Sequence, residues 1–328
     1  MTLLENRSAD IPAPRVITTQ PRRSDQIFRA VVTVGGMTSL VILGLIALFL
    51  SLKGISVLQV EKLSFITESK WEVLQDAEGK VAESTFGLGA MLIGTFLSAF
   101  IAVIVGVPIA VLSALYLTFY ARGPVKRLLI SLIDLMAAFP SLLFGFWGFI
   151  VLMGSAEYWA KLLNKYLGFI PIFDVPAPIF ERSPFIAGLV LAIMIIPIVT
   201  AISREIFDQT PLDRVQAAYA LGASKLAMIR AVVIPYGRGG VIGGAMLGLG
   251  RALGETVAVY TVLNLVYDIR IEILLSAGGS VASMIVNKFG EADRVELQAL
   301  MAAGFVLFLV TLAVNFLANA IINKTARE

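Results

Sequence analysis

Two ionisable side chains stand four residues apart in the stretch GLGRALGETVAV, Gly248–Val259: Arg251 and Glu255. A guanidinium is a planar fork that donates two parallel hydrogen bonds, the geometry that suits phosphate and other oxyanions. A nearby carboxylate would orient that arginine when no anion is present, and by competing for it would let an anion leave. The same two residues also suit a plain ion pair that only ties helices together, and Asp134, in another apolar stretch, could join it. Asp134 has a second bland role open to it, bonding hydroxyls or backbone groups freed near Pro140. The chain has no His and no Cys. Imidazole ligands, imidazole proton relays, disulfides and thiolate metal sites are therefore excluded. No cofactor, metal or catalytic residue is expected.

These charges sit in segments built for lipid. The chain of 328 residues is 58% hydrophobic and 15% charged, with a mean hydropathy of +0.88. Soluble domains carry about 25% charged residues, and the apolar residues here form long blocks, not short periodic ones. The composition predicts an all-α, polytopic membrane protein. Spans of about 20 apolar residues fall at 28–52, 86–120, 125–153, 185–203, 239–266 and 299–322, with a kink at Pro140. Lys and Arg cluster in the tail 1–27 (Arg7, Arg15, Arg22, Arg23), after span two (Arg122, Lys126, Arg127), in the loop 204–238 and in the tail 323–328. The positive-inside rule places all of these, and both termini, in the cytoplasm. The net charge of +3 reflects that topology, and no nucleic-acid partner is expected. The N-terminal tail lacks the apolar core and cleavage site of a signal peptide.

Span five is expected to be one helix. At about 100° per residue, Gly240, Gly244, Gly248, Arg251, Glu255 and Ala258 share one face. Small residues at this spacing let a second helix approach closely. A charge at bilayer depth costs at least about 2.5 kcal/mol, so this face turns into the bundle or a wet pathway.

Two loops are too long to be plain connectors. The external loop 265–298 holds SAGGSVASMIVNKFGEA, which suits a re-entrant hairpin with Ser280 capping a short helix, or a surface helix that docks a partner; the second role is expected. SAEYWAKLLNKYLGF suits an amphipathic interfacial helix. The cytoplasmic loop 204–238 contains QAAYALGASKLAMIRAVVIPYGR. Here a helix leads to Gly222, a natural site for positive φ, and a second helix runs to Pro235, which is expected to end or redirect it. A helix–turn–helix of this kind makes a lever for a soluble partner. No G-x-x-x-x-G-K-[ST] phosphate loop occurs, so energy from nucleotide would have to come from another chain.

That loop resembles the permease subunits of bacterial ABC importers. Their pattern is E-A-A, three residues, Gly, nine residues, I-x-L-P; Gln216, Ala217, Ala218, Gly222 and Val232–Pro235 stand at those positions, with Gln in place of Glu, Val in place of Ile and Ile in place of Leu. LMAAFPSLLFGFWGFIVL, MIIPIVTAISREIFDQTP, GRALGE and FGEA extend the resemblance to the permeases of the bacterial high-affinity phosphate importer, the PstC kind more than the PstA kind. The resemblance implies the type I, MetI-like permease architecture, with Gln216, Ala217, Ala218, Gly222 and Pro235 meeting an ATPase. It implies a second permease of the PstA kind, two copies of a cytoplasmic ATP-binding subunit, an external phosphate-binding protein, and phosphate passing Arg251 in the bacterial plasma membrane. A permease for sulfate or molybdate, and a gradient-driven transporter using Glu255 or Asp134 as a proton site, are the rival expectations.

Overall fold

The computed structural model describes residues 23–75, 81–176 and 179–325. The tail expectations for residues 1–22 and 326–328 lie outside the described residues. The chain divides into two units, Met1–Leu48 and Phe49–Glu328. The described part of the first unit is the opening of α1 (Arg23–Glu61), where side chains such as Phe28, Leu40 and Leu45 are exposed. A helix that is apolar on every side needs lipid or another chain around it. At 39 residues, α1 is about 58 Å long, well beyond the expected end at residue 52.

The second unit opens with the end of α1. Then come α2 (Ser64–Thr67), strands β1 (Trp71–Gln75) and β2 (Val81–Phe86), and α3 (Gly89–Leu115), which ends in a π turn, Tyr116–Tyr120. Next are α4 (Gly123–Ala138), α5 (Ser141–Trp147), a π turn Gly148–Leu152, and α6 (Met153–Leu167). α7 (Pro184–Asp208), α8 (Leu212–Ala220), α9 (Lys225–Met228) and a π turn Ile229–Val233 lead into α10 (Ile234–Gly254). α11 (Val257–Val262), α12 (Val281–Phe289) and α13 (Arg294–Thr325) complete the order. Among the described residues, six helical runs are long and apolar enough to cross a membrane: Arg23–Glu61, Gly89–Tyr120, Ser141–Leu167, Pro184–Asp208, Lys225–Gly254 and Arg294–Leu317.

One short antiparallel hairpin, β1–β2, stands in the otherwise helical chain. Trp71 pairs with Phe86 across it, their rings edge-to-face at 5.0 Å. Trp71 Nε1 donates to Glu296 Oε1 at 2.8 Å, and Lys288 Nζ reaches the same oxygen at 2.9 Å. One buried carboxylate thus joins the hairpin to α12 and α13.

The third span also differs. A single kinked helix was expected over 125–153. Instead the chain is extended at Phe139 (ψ 137°), because a proline pushes the residue before it out of the helical region. α4 becomes a separate amphipathic helix with no buried residue, and the membrane-length helix starts at Ser141.

The core is made by close approach at small residues. α3 and α7 meet through Ala99, Ala102, Ala187, Val190 and Ile195, and α10 and α11 add Ala252, Leu253, Ala258 and Val262. A Cβ at Gly188 would lie 2.5 Å from the Ile101 side chain, and one at Gly94 would lie 2.1 Å from the Gly279 carbonyl oxygen. Lipid is as apolar as leucine, so packing at short range is what holds such helices together.

Candidate functional site: a lone arginine at the end of a glycine seam

α10 runs along α7 on a row of glycines. Cβ atoms at Gly237, Gly240, Gly244 and Gly248 would meet Phe207 at 2.7 Å, Ile206 at 2.6 Å, Ile202 at 3.1 Å and Val199 at 3.0 Å. The contacts step down α7 as α10 climbs, so the pair is antiparallel. Arg251 lies one turn past Gly248, half-buried, at the edge of a cavity of about 660 Å³. Ile198 of α7, Met246 and Gly250 of α10, and Phe308, Thr311 and Asn315 of α13 also line it. Among the described residues, no carboxylate lies within 4.0 Å of Arg251 and none hydrogen-bonds to its side chain.

Glu255 is elsewhere, which corrects the expectation of one helix over 239–266. α10 stops at Gly254, and Glu255 is extended (φ −68°, ψ 129°). Its Oε1 accepts from the Ala258 amide at 3.2 Å and so caps the first turn of α11. Glycine holds a helix poorly and a carboxylate competes for free backbone amides, so the G-E-T step breaks the helix and restarts it. The shared face of Arg251, Glu255 and Ala258 assumed continuity, and the break removes it. Ala258 instead packs on α5, its Cα 2.8 Å from where a Cβ on Gly145 would stand. Asp134 is exposed on α4, which is no longer the middle of a span. The structure brings neither carboxylate to Arg251.

The 204–238 loop forms two helices around a tight turn. The Ala223 amide donates to the Ala218 carbonyl at 3.0 Å and the Gly222 amide to the Tyr219 carbonyl at 2.9 Å, a Schellman motif. Gly222 has φ +79°, which residues with a Cβ resist. Ser224 Oγ accepts from the Ala227 amide at 3.3 Å and caps α9. Val215 and Ala218 pack against Ala114, Phe207 and Ile229. Gln216, Ala217, Leu212 and Tyr219 face outward, and Leu221 at the tip is 90% exposed. Lys225 Nζ donates to the Phe119 carbonyl and stands 4.6 Å over the Tyr120 ring, tying α9 to the end of α3.

Pro235 does not end the helix, contrary to expectation. The helical run is continuous over Lys225–Gly254. In the π turn before it the Ile234 amide donates five residues back, to Ile229. That offset ladder accommodates the missing proline N–H.

Other polar residues were missed in the sequence. Thr311 and Asn315 line the Arg251 cavity; an amide inside VTLAVNFLANA was the available signal. A second cavity of about 420 Å³ contains Arg182, Tyr260, Asn264 and Asn287. No pattern around Arg182 marked it. The Ser280 cap on α12 is present, as a capping box with Ser283. The expected surface helix is corrected, because Val281–Met284 are buried against α3 and α13. Nearby, burial first and the Glu296 charge second push the Tyr267 phenol above its ordinary value.

Comparison with known proteins now bears on this geometry. Residues 106–327 match the family described as binding-protein-dependent transport system inner membrane component. The chain belongs to this family. It is of the PstC kind: it is 38% identical over 314 residues to phosphate transport system permease protein PstC 2 of Mycobacterium bovis, covering 94% of this chain and 95% of that protein. It is 35% identical over 313 residues to the PstC protein of Xylella fastidiosa, covering 93% of each. The fold is similar to a chain of the MetNI methionine ABC transporter in an inward-facing conformation, with a TM-score of 0.50 and 14% identity, over 73% of this chain and 94% of that one. This family member is a multi-pass membrane permease with the MetI-like architecture of ABC importers.

Proposed function

We propose that this permease is one half of the translocation pathway of an ATP-driven phosphate importer. The other half is a permease of the PstA kind. Two copies of an ATP-binding subunit sit under the α8–α9 turn on the cytoplasmic side, where both termini lie, and an external phosphate-binding protein docks at the opposite end. The single observation that carries the reading is Arg251. It is a half-buried guanidinium in the last turn of α10, beside a cavity midway along α13, with no carboxylate among the described residues to neutralise it. A charge at that depth costs at least about 2.5 kcal/mol, and a passing oxyanion would relieve that cost. The names of the curated relatives favour phosphate among oxyanions.

The mechanism follows from the parts. Closure of an ATPase dimer would push on the exposed face of α8, around Gln216 and Ala217. α9 and α10 form one unbroken helical run, so motion at the turn is carried to Arg251 without a hinge. The break at Gly254–Thr256 then separates the arginine-bearing helix from α11, giving the pathway a joint above the charge. Phosphate would meet the Arg251 fork in the cavity, where no carboxylate among the described residues competes for it.

The test is phosphate uptake by the assembled transporter in liposomes, with and without ATP. Uptake should need ATP and the binding protein. Arg251→Ala should lower uptake at least about 100-fold, since it removes a charge-assisted bidentate contact worth about 3 kcal/mol, while the complex still assembles. Uptake driven by a proton gradient alone would overturn the ATP-driven reading. Uptake of sulfate and not phosphate would overturn the substrate, and wild-type uptake by Arg251→Ala would remove the arginine from the pathway.

A further inference from the structure

We infer that Arg182 forms a second oxyanion-binding site, at the far end of α7 from the coupling turn and separate from Arg251. The inference rests on the oxyanion-permease reading above. Arg182 precedes α7 directly, and Ile198, beside Arg251, lies about 20 Å further along that helix. The two arginines therefore occupy different depths of the molecule.

Three independent features point to an anion at Arg182. The first is charge. Arg182 is part-buried, and its two contacts are neutral: the Asn264 Oδ1, to which it donates at 3.1 Å, and the Phe149 ring, 5.1 Å away. Among the described residues no carboxylate comes within 4.0 Å of it. Lys288, by contrast, is neutralised by Glu296 at 2.9 Å. A guanidinium has five N–H donors, so most remain free. The amide and the ring fix its plane without cancelling its charge.

The second feature is space. Arg182 borders the cavity of about 420 Å³. A water molecule takes about 30 Å³ of liquid, so the cavity holds an oxyanion and part of its hydration shell. Asn287 and Tyr260 add polar groups to its wall, and neither side chain has a hydrogen-bond partner among the described residues. The third is backbone conformation. Arg182 has φ +50°, a region that residues with a Cβ enter at a cost of about 1–2 kcal/mol. Strain of this kind persists where the surroundings impose a side-chain position, and it is concentrated at ligand clamps. Here it aims the guanidinium over Phe149 and into the cavity.

The site receives a tetrahedral oxyanion before Arg251 does, above the joint at Gly254–Thr256. The chain has no cysteine, so a single Phe146→Cys, on the cavity wall and 49% exposed, makes a unique reporter on this chain. Leu265→Cys serves if the first variant does not assemble. The assembled transporter in nanodiscs is treated with an anionic or a cationic methanethiosulfonate, and labelling is read on this chain after a denaturing gel. The anionic reagent should react at least about tenfold faster than the cationic one, the concentration factor of a charged cleft. Arg182→Gln should abolish that preference and Arg182→Lys should restore it. Inorganic phosphate should slow labelling in the Arg182 background and not in Arg182→Gln. Equal rates for the two reagents, or no protection by phosphate, sulfate or molybdate while ATP-driven phosphate uptake persists, overturn the site and leave the proposed function standing. Protection by sulfate or molybdate alone supports the oxyanion site and counts against phosphate as the substrate. Loss of uptake in Arg182→Gln with the reagent preference intact makes Arg182 structural and overturns the inference.

Discussion

At the scale of residues, the ionisable groups divide by what the backbone does around them. Arg251 and Glu255 are four apart in sequence and carry out unrelated tasks, because the helix between them ends at Gly254. Glu255 is spent on a backbone amide, and Arg251 is left for the cavity. Side-chain spacing predicts proximity only on an unbroken helix. Glycines divide in the same way, by what surrounds them. At Gly94 a Cβ would stand 2.1 Å from the Gly279 carbonyl, whereas at Gly154 nothing lies within 4 Å. Gly94→Val should therefore lower the thermal unfolding midpoint in detergent, in line with an overpacking cost of about 1–3 kcal/mol. Gly154→Ala should leave it within error of the parent. An unchanged midpoint for Gly94→Val would contradict the close approach of α3 to the 263–280 segment.

At the scale of elements, the α8–Gly222–α9 turn is the clearest unit. Its pattern of small residues, glycine and proline was readable because each has a local backbone reason. The Schellman bonds and the positive φ of Gly222 supply that reason in three dimensions. The reading of Pro235 failed because the π turn ahead of it depends on packing of Ile229 and Val233 against Phe207, which no local rule contains. Gly222→Ala should cost about 1 kcal/mol in the turn and loosen the angle between α8 and α9. ATP hydrolysis by the assembled transporter should continue while phosphate moved per ATP falls several-fold. A normal coupling ratio would show that the angle of this turn does not transmit the stroke.

At the scale of the whole molecule, the six long apolar runs among the described residues call for a membrane, and the positive-inside rule gives its proposed sides. Leu221→Cys is the only thiol in an otherwise cysteine-free chain, on a tip that is 90% exposed. In bacterial membranes expressing this chain without the proposed ATP-binding partner, a membrane-impermeant thiol reagent should label it in inside-out vesicles and not in intact cells. Labelling from outside would invert the proposed topology. Sequence alone determined the helical class, the number of spans, the glycine seam and the family resemblance. Hydropathy, charge asymmetry and small-residue spacing are properties of single segments and need no neighbour. Only the tertiary structure decided where helices break, that Glu255 caps α11, that Asp134 is exposed on a separate helix, and that Arg182 lies on a cavity with Asn264 and Phe149. The Arg182 contact joins groups 82 positions apart, and the Glu255 cap turns on competition between side chain and backbone for the same amide. Segment-wise patterns hold no information about such contacts.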